Sequence, residues 1–318
     1  MECLSANDSR ADNYLNIIQV HDQYENAEEK ELSAHDSQEG EARLSNSPLS
    51  QGFRAQCIIN DTGSMTEPVS PSPPLLDVRD LACAYGSLVA LSGATLHVSH
   101  GECVCIVGPN GAGKTTLLSN IAGLYRPRSG TIGFNGKQIT GLGPERISQL
   151  GISMVPEGRR IFGTLTVEEN LRLGATVRRR DGRVAEDIER MLELFPVLRD
   201  RFRSEAGKLS GGEQQMLAIA RALMSRPKLI MIDEPSLGLA PLVIDRVYAI
   251  LAELRAQAAI TIVIVEQNTA RIADIADRIH VVRNGRIVLS GSPAEISGTT
   301  MIDDAYFGFT TDPPGIGA

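Results

Sequence analysis

The chain has 318 residues, with 31 Lys and Arg against 39 Asp and Glu, so its net charge is −8. That length allows one large domain or two medium ones, and an acidic balance makes the chain a poor candidate for a nucleic-acid binder, which needs a basic face. The longest apolar runs, Leu229–Ile232 and Ile262–Val265, fall far short of a spanning helix, which takes ~20 apolar residues.

The first residues show no basic region followed by an apolar stretch, so no secretory signal is predicted. Cys3, Cys57, Cys83, Cys103 and Cys105 are odd in number and include no CxxC pair. A zinc site or a disulfide framework is therefore not expected, and a reducing cytoplasm is. Residues 1–74 hold thirteen acidic and four basic residues, which gives −9 and leaves +1 for the rest. This quarter is rich in Ser, Asn, Asp and Glu and closes on Pro68-Val69-Ser70-Pro71-Ser72-Pro73-Pro74. Few apolar residues cannot offset the entropy of ordering, so it is predicted to be a disordered acidic extension. Met65 offers a second start that would omit the first 64 residues.

From Leu75 the character changes. Leu75–Asp80 and Ala94–Ser99 alternate like strands. Cys103–Val107 is a continuous apolar strand, followed by a Gly-rich turn and a helix over Lys114–Leu124. Thr131–Phe134 is another strand. Residues 144–205, rich in Arg and Glu, read as mostly helical, and Arg178-Arg179-Arg180 as a solvated helix end, with docking on a membrane subunit or lipid headgroups as the alternative. Helices over Glu213–Met224 and Leu242–Gln257 precede buried strands at Leu229–Ile232 and Thr261–Val265. Helices alternating with apolar strands predict a parallel sheet covered on both faces.

Three segments carry chemistry. Gly108-Pro109-Asn110-Gly111-Ala112-Gly113-Lys114-Thr115-Thr116 fits G-x-x-x-x-G-K-[ST] between a strand and a helix. Its glycines leave backbone N–H groups free to wrap a phosphate, and the helix N-terminus adds partial positive charge. Lys114 is placed to bridge β- and γ-phosphates and Thr115 to bind Mg2+. Leu229–Ile232 ends in Asp233-Glu234, where the turning chain brings both carboxylates to one site: Asp233 for Mg2+, Glu234 as the base that polarises water. Leu209-Ser210-Gly211-Gly212-Glu213 contains a capping box, Ser210 with Glu213, at the start of a helix.

With these motifs in this order, the chain over residues 75–310 resembles the ATP-binding subunits of ABC transporters. The resemblance implies an α/β fold: a P-loop NTPase core with a mostly parallel sheet, an antiparallel β-subdomain and an inserted helical subdomain at about 144–205. Residues 311–318 are read as a flexible tail. It implies head-to-tail pairing with a second ABC ATPase subunit, identical or different, with two ATP molecules between them. Each site then joins one subunit's phosphate loop to the other's Ser210, Gly211, Gly212 and Glu213. Tyr85 matches the aromatic that stacks on adenine, and Ser236-Leu237-Gly238-Leu239 the loop that touches the opposite site.

Two positions depart from the family pattern. Where a Gln is usual, the chain has Glu157, within Val155-Pro156-Glu157-Gly158-Arg159; this residue is assigned to the metal. Where a His contacts the γ-phosphate, Val265-Glu266-Gln267-Asn268 supplies Gln267, which donates a hydrogen bond but carries no proton charge. None of His21, His35, His97, His100 and His280 takes that place. These departures, Thr166-Val167-Glu168-Glu169-Asn170 and the late Ala305-Tyr306-Phe307-Gly308 resemble the branched-chain amino acid importer group (LivF-type). Urea and short-amide importers are the neighbouring alternative, with Gln expected at 157. The group implies membrane-spanning permease subunits, a periplasmic solute-binding protein and a peripheral place on the cytoplasmic face of the membrane. A soluble ABC ATPase usually has two nucleotide domains or long insertions; here only about 95 residues separate Lys114 from Ser210.

Overall fold

Strand order decides where the chemistry gathers. The computed structural model describes residues 73–178, 182–258, 260–267 and 272–297. The acidic extension up to residue 72, Arg179, Arg180, Asn268, Ala305–Gly308 and the tail 311–318 lie outside the described residues. The elements run β1 (Leu76–Tyr85), β2 (Leu88–Val98), β3 (Cys103–Val107), α1 (Lys114–Ile121), β4 (Ser129–Phe134), β5 (Lys137–Gln138), α2 (Pro144–Leu150) and β6 (Ile152–Val155). After these come α3 (Val167–Gly174), α4 (Val184–Leu194), α5 (Pro196–Asp200), α6 (Gly211–Leu223), β7 (Leu229–Asp233), α7 (Pro241–Ala258), β8 (Thr261–Glu266), β9 (Arg278–Arg283), β10 (Arg286–Gly291) and α8 (Pro293–Ser297).

A six-stranded sheet has the order β10-β9-β3-β8-β7-β6, and all its pairs are parallel except β9 with β10. A second, antiparallel sheet has the order β2-β1-β4-β5. The central strands are apolar on both faces because both are covered. Cys105, Ile230, Ile232, Ile262 and Ile264 face a core shared with α3 to α7. Their neighbours Val104, Ile106, Met231, Val263 and Val265 face a core shared with β1, β2 and α1. Cys83, Cys103 and Cys105 are buried free thiols.

The stretch expected to be mostly helical from 144 holds a strand. β6 pairs in parallel with β7 and forms the sheet edge, with Ile152 and Val155 buried. Four residues are too few for alternation to announce a strand. Arg178, expected at a solvated helix end, is instead mostly buried. Its guanidinium pairs with Asp187 of α4 at 2.6 Å and donates to the Met224 carbonyl after α6, while Arg226 holds the same carboxylate at 2.8 Å. One buried charge thus pins α4 to the end of α6.

Among the described residues three helices, α3, α6 and α8, carry a capping box; at α8 Ser292 accepts from the Glu295 N–H and Glu295 from the Ser292 N–H. Ser210 accepts from the Glu213 N–H while Glu213 accepts from the Ser210 N–H at α6, and Thr166 and Glu169 do the same at α3. Each cap contributes about 1 kcal/mol. Asn170, fully buried, uses both ends of its amide on the loop before α3. It accepts from the Phe162 N–H and donates to the Phe162 and Thr166 carbonyls.

Candidate functional site

Parallel strands end on the same edge of a sheet, so residues far apart in sequence meet there. β3 leads into residues 108–113, β6 into Glu157, β7 into Glu234 and β8 into Gln267. Of these, Asn110, Gly111, Gly113, Glu157, Glu234 and Gln267 line a cavity of about 520 Å³ with Tyr85, Lys114, Thr115 and Thr116.

The glycines are there for space. A Cβ on Gly108 would sit 2.2 Å from the Val282 carbonyl oxygen of β9, so this residue lets β3 leave the sheet in contact with its neighbour. Gly113 has φ 104°, and its Cβ would meet the Ala90 oxygen at 2.5 Å. Gly113 is also the N-cap of α1 and provides no side-chain cap, so first-turn N–H groups are left for an anion. Lys114 is buried and folds back over the loop. Its Nζ donates to the Gly108 oxygen at 2.8 Å and the Pro109 oxygen at 3.2 Å, and lies 3.7 Å from Glu234 Oε1.

Asp233 is 1% exposed, and neither carboxylate oxygen has a hydrogen-bond partner. Burial raises its pKa to about 6; the Thr115 hydroxyl and Lys114 oppose the rise, and the charges of Glu234 and Glu157 add to it. An orphaned carboxylate beside a threonine at a phosphate loop fits Mg2+, which takes one or two protein oxygens and completes its shell from water and phosphate. Among the described residues no cluster of three or more His, Cys, Asp or Glu side chains could hold a metal without such a partner.

Glu234 has φ 49°, a left-handed conformation rare for a residue with a side chain. The end of β8 and the residue after it hold it: its N–H donates to the Val265 oxygen at 2.9 Å, and Gln267 Nε2 donates to both its carboxylate oxygens at 2.9 and 2.7 Å. Gln267 therefore binds the candidate base itself. Sequence reasoning placed it only against a phosphate. Glu266, to which the sequence reading gave no role, accepts from the Ser236 N–H, the Ser236 hydroxyl and the Tyr248 hydroxyl. Burial and the Glu266 charge raise the Tyr248 pKa, so its phenol stays protonated and donates.

Tyr85 is 41% exposed at the cavity mouth and meets the ring of Tyr125 edge to face, with centroids 5.0 Å apart. Leu88 and Val89 extend this apolar wall; exposed side chains on a hairpin gave no signal in the sequence. Ser210, Gly211, Gly212 and Glu213 do not line this cavity. A Cβ on Gly212 would come 2.5 Å from Val243 Cγ1, so α6 and α7 touch there. The Arg159 guanidinium covers Gly211, 3.0 Å from where a Cβ would stand, and reaches Gln214.

The ABC transporter family model matches residues 91–237, from β2 past the carboxylate strand. Over 234 residues the chain is 44% identical to the high-affinity branched-chain amino acid transport ATP-binding protein BraG of Pseudomonas aeruginosa, covering 74% of this chain and all of that protein. The chain belongs to the ABC transporter family. This ABC protein is also 38% identical over 223 residues to the probable branched-chain amino acid transport ATP-binding protein LivF of Archaeoglobus fulgidus, covering 70% of this chain and 94% of that one. A crystal structure of the ADP conformation of an ATP-binding cassette of an ABC transporter superposes with a TM-score of 0.64 at 28% identity, covering 74% of this chain and all of that one. The expected ABC ATPase fold, with parallel core and antiparallel β-subdomain, is the fold found. No described helix is long and apolar enough to cross a membrane.

Proposed function

We propose that the chain is the ATP-binding and ATP-hydrolysing subunit of an importer of branched-chain amino acids. One observation carries the reading: the phosphate loop and the Gln267-held Glu234 line one cavity, with the orphaned Asp233 directly before Glu234, in a chain that matches BraG along that protein's whole length. ATP enters with its adenine on Tyr85 and its phosphates in the loop of Gly108, Asn110, Gly111, Ala112 and Gly113. Lys114 leaves the Gly108 and Pro109 carbonyls for the phosphate oxygens, and Thr116 closes the loop. Thr115 and Asp233, with Glu157 at the cavity wall, hold Mg2+, which when bound neutralises charge on the phosphates. Glu234 takes a proton from water as its oxygen bonds to the γ-phosphorus and the bond to the β-phosphate oxygen breaks, leaving ADP and phosphate.

A second ABC subunit, paired head to tail, brings its own phosphate loop to Ser210, Gly211, Gly212 and Glu213, whose helix N-terminus suits the γ-phosphate. Permease subunits hold the pair at the cytoplasmic face of the membrane, and a periplasmic solute-binding protein delivers the amino acid. The test is reconstitution in proteoliposomes of the complex purified with its permease subunits. Leucine-loaded binding protein is expected to raise ATP turnover and drive leucine uptake. Uptake of urea with none of leucine, or no ATP turnover in the complex, would overturn the reading.

A further inference from the structure

Glu266 is 4% exposed at the last position of β8. A carboxylate buried there loses its water and has to be held by donors. All three donors found are neutral: the Ser236 N–H at 3.1 Å, the Ser236 Oγ–H at 2.9 Å and the Tyr248 Oη–H of α7 at 2.7 Å. Charge pairing therefore does not explain the group, whereas the position of Ser236 does. Ser236 opens the loop that follows the candidate base. The residues on either side of Glu266 hold the base: Val265 by its carbonyl and Gln267 by its amide. Three consecutive residues thus fix 234 and 236 from one strand end. The loop leads on to Leu237, which is half exposed and lines the nucleotide cavity.

We infer that Glu266 is a positioning residue for hydrolysis. It ties loop 236–239 to the strand end that aims Glu234, so that loop and base move as one body. This rests on the proposed function, in which Glu234 is the base, and on the expectation from the family resemblance that the loop touches the opposite site. Closure of the pair then reaches the base through Glu266, and turnover depends on both sites being filled.

The test uses the assembled transporter, with ATP affinity, kcat, KM and the Hill coefficient for ATP as readouts. Glu266→Ala is expected to lower kcat at least tenfold, keep ATP affinity within twofold and bring the Hill coefficient toward 1. Glu266→Gln, whose carbonyl still accepts from Ser236, is expected to recover kcat to within threefold of the parent. Ser236→Ala and Tyr248→Phe each remove one donor, are expected to fall between, and carry the test if Glu266→Ala does not fold. Parental kcat and Hill coefficient in Glu266→Ala, or in both single-donor variants where the alanine does not fold, would overturn the inference. So would loss of ATP affinity in step with kcat, the mark of a merely structural role. Glu234→Gln run alongside separates the two readings: if it turns over ATP at the parental rate, the assignment of the base has failed, whatever Glu266 does.

Discussion

Gln267 gives Glu234 a partner whose charge cannot change. An amide aimed at both oxygens of a carboxylate fixes its orientation without competing for the proton. A histidine there brings a larger ring into a fitted polar site and, when charged, pairs with the base. Gln267→His is therefore expected to be neutral or to lower turnover in the full complex; a several-fold rise would show that the site suffers from lacking an imidazole. Glu234→Gln is expected to bind ATP and to turn over ~10²–10⁴ times more slowly, measured as ATP affinity and phosphate release. Lys114→Ala removes the buried ammonium. Charge-assisted hydrogen bonds contribute about 1.5–3 kcal/mol each, so calorimetry should show a loss of ATP affinity of tenfold or more. Lys114, Asp233 and Glu234 were legible because their chemistry depends on order along the chain. The partnership of Gln267 with Glu234 was not, because it joins two strands 33 residues apart, and no local pattern records that.

At the scale of elements, the long apolar strands and the capped helices were legible, and the irregular pieces were not. β1 runs to Tyr85, well past the expected end, because bulges near Asp80, itself at φ 49°, break the alternation that marks a strand. The β9–β10 hairpin had a readable signal in Asn284-Gly285, whose φ values of 49° and 72° suit a tight turn, yet it escaped the sequence reading. The loop between β6 and α3 depends on Asn170, whose amide takes up backbone groups that no ladder pairs there. Asn170→Ala leaves the Phe162 N–H without its acceptor, while the Phe162 carbonyl keeps the Leu165 N–H. A destabilisation of about 1–2 kcal/mol is expected, read as a lower denaturant midpoint. Asn170→Asp, which keeps the acceptor and loses the donors, should recover part of it.

Across the whole molecule, His280 couples stability to pH. It sits in β9, 3% exposed, with Nδ1 2.7 Å from the Ser290 hydroxyl and Nε2 unpartnered. Burial lowers its pKa to about 4; Arg278 and His97 push the same way and Glu102 opposes. The unfolded chain takes up this proton near the ordinary value of about 6.5 and the folded chain only near 4, so stability is full above 6.5 and falls as pH drops toward 4. A shift of this size corresponds to about 3 kcal/mol at its limit. His280→Gln is expected to flatten the fall in melting temperature between pH 6.5 and 4.5, whatever it does at pH 7.5. An unchanged slope would place the acid sensitivity elsewhere.

The place of β3 in the sheet has a consequence for how the molecule comes into being. Its two neighbours are β8 and β9, so Cys103 pairs with Ile262, and Val104 with both Val263 and Arg278. The strand that launches the phosphate loop has no earlier partner in that sheet. A growing chain makes the loop early and can seat it only after residue 283 has been synthesised. Loop closure over so long a separation is slow, so nucleotide capture is expected to be among the last properties acquired. Refolding followed by helical signal and by a fluorescent ATP analogue should show binding lagging behind secondary structure. A chain ending before Thr261 should keep local helices and bind no nucleotide.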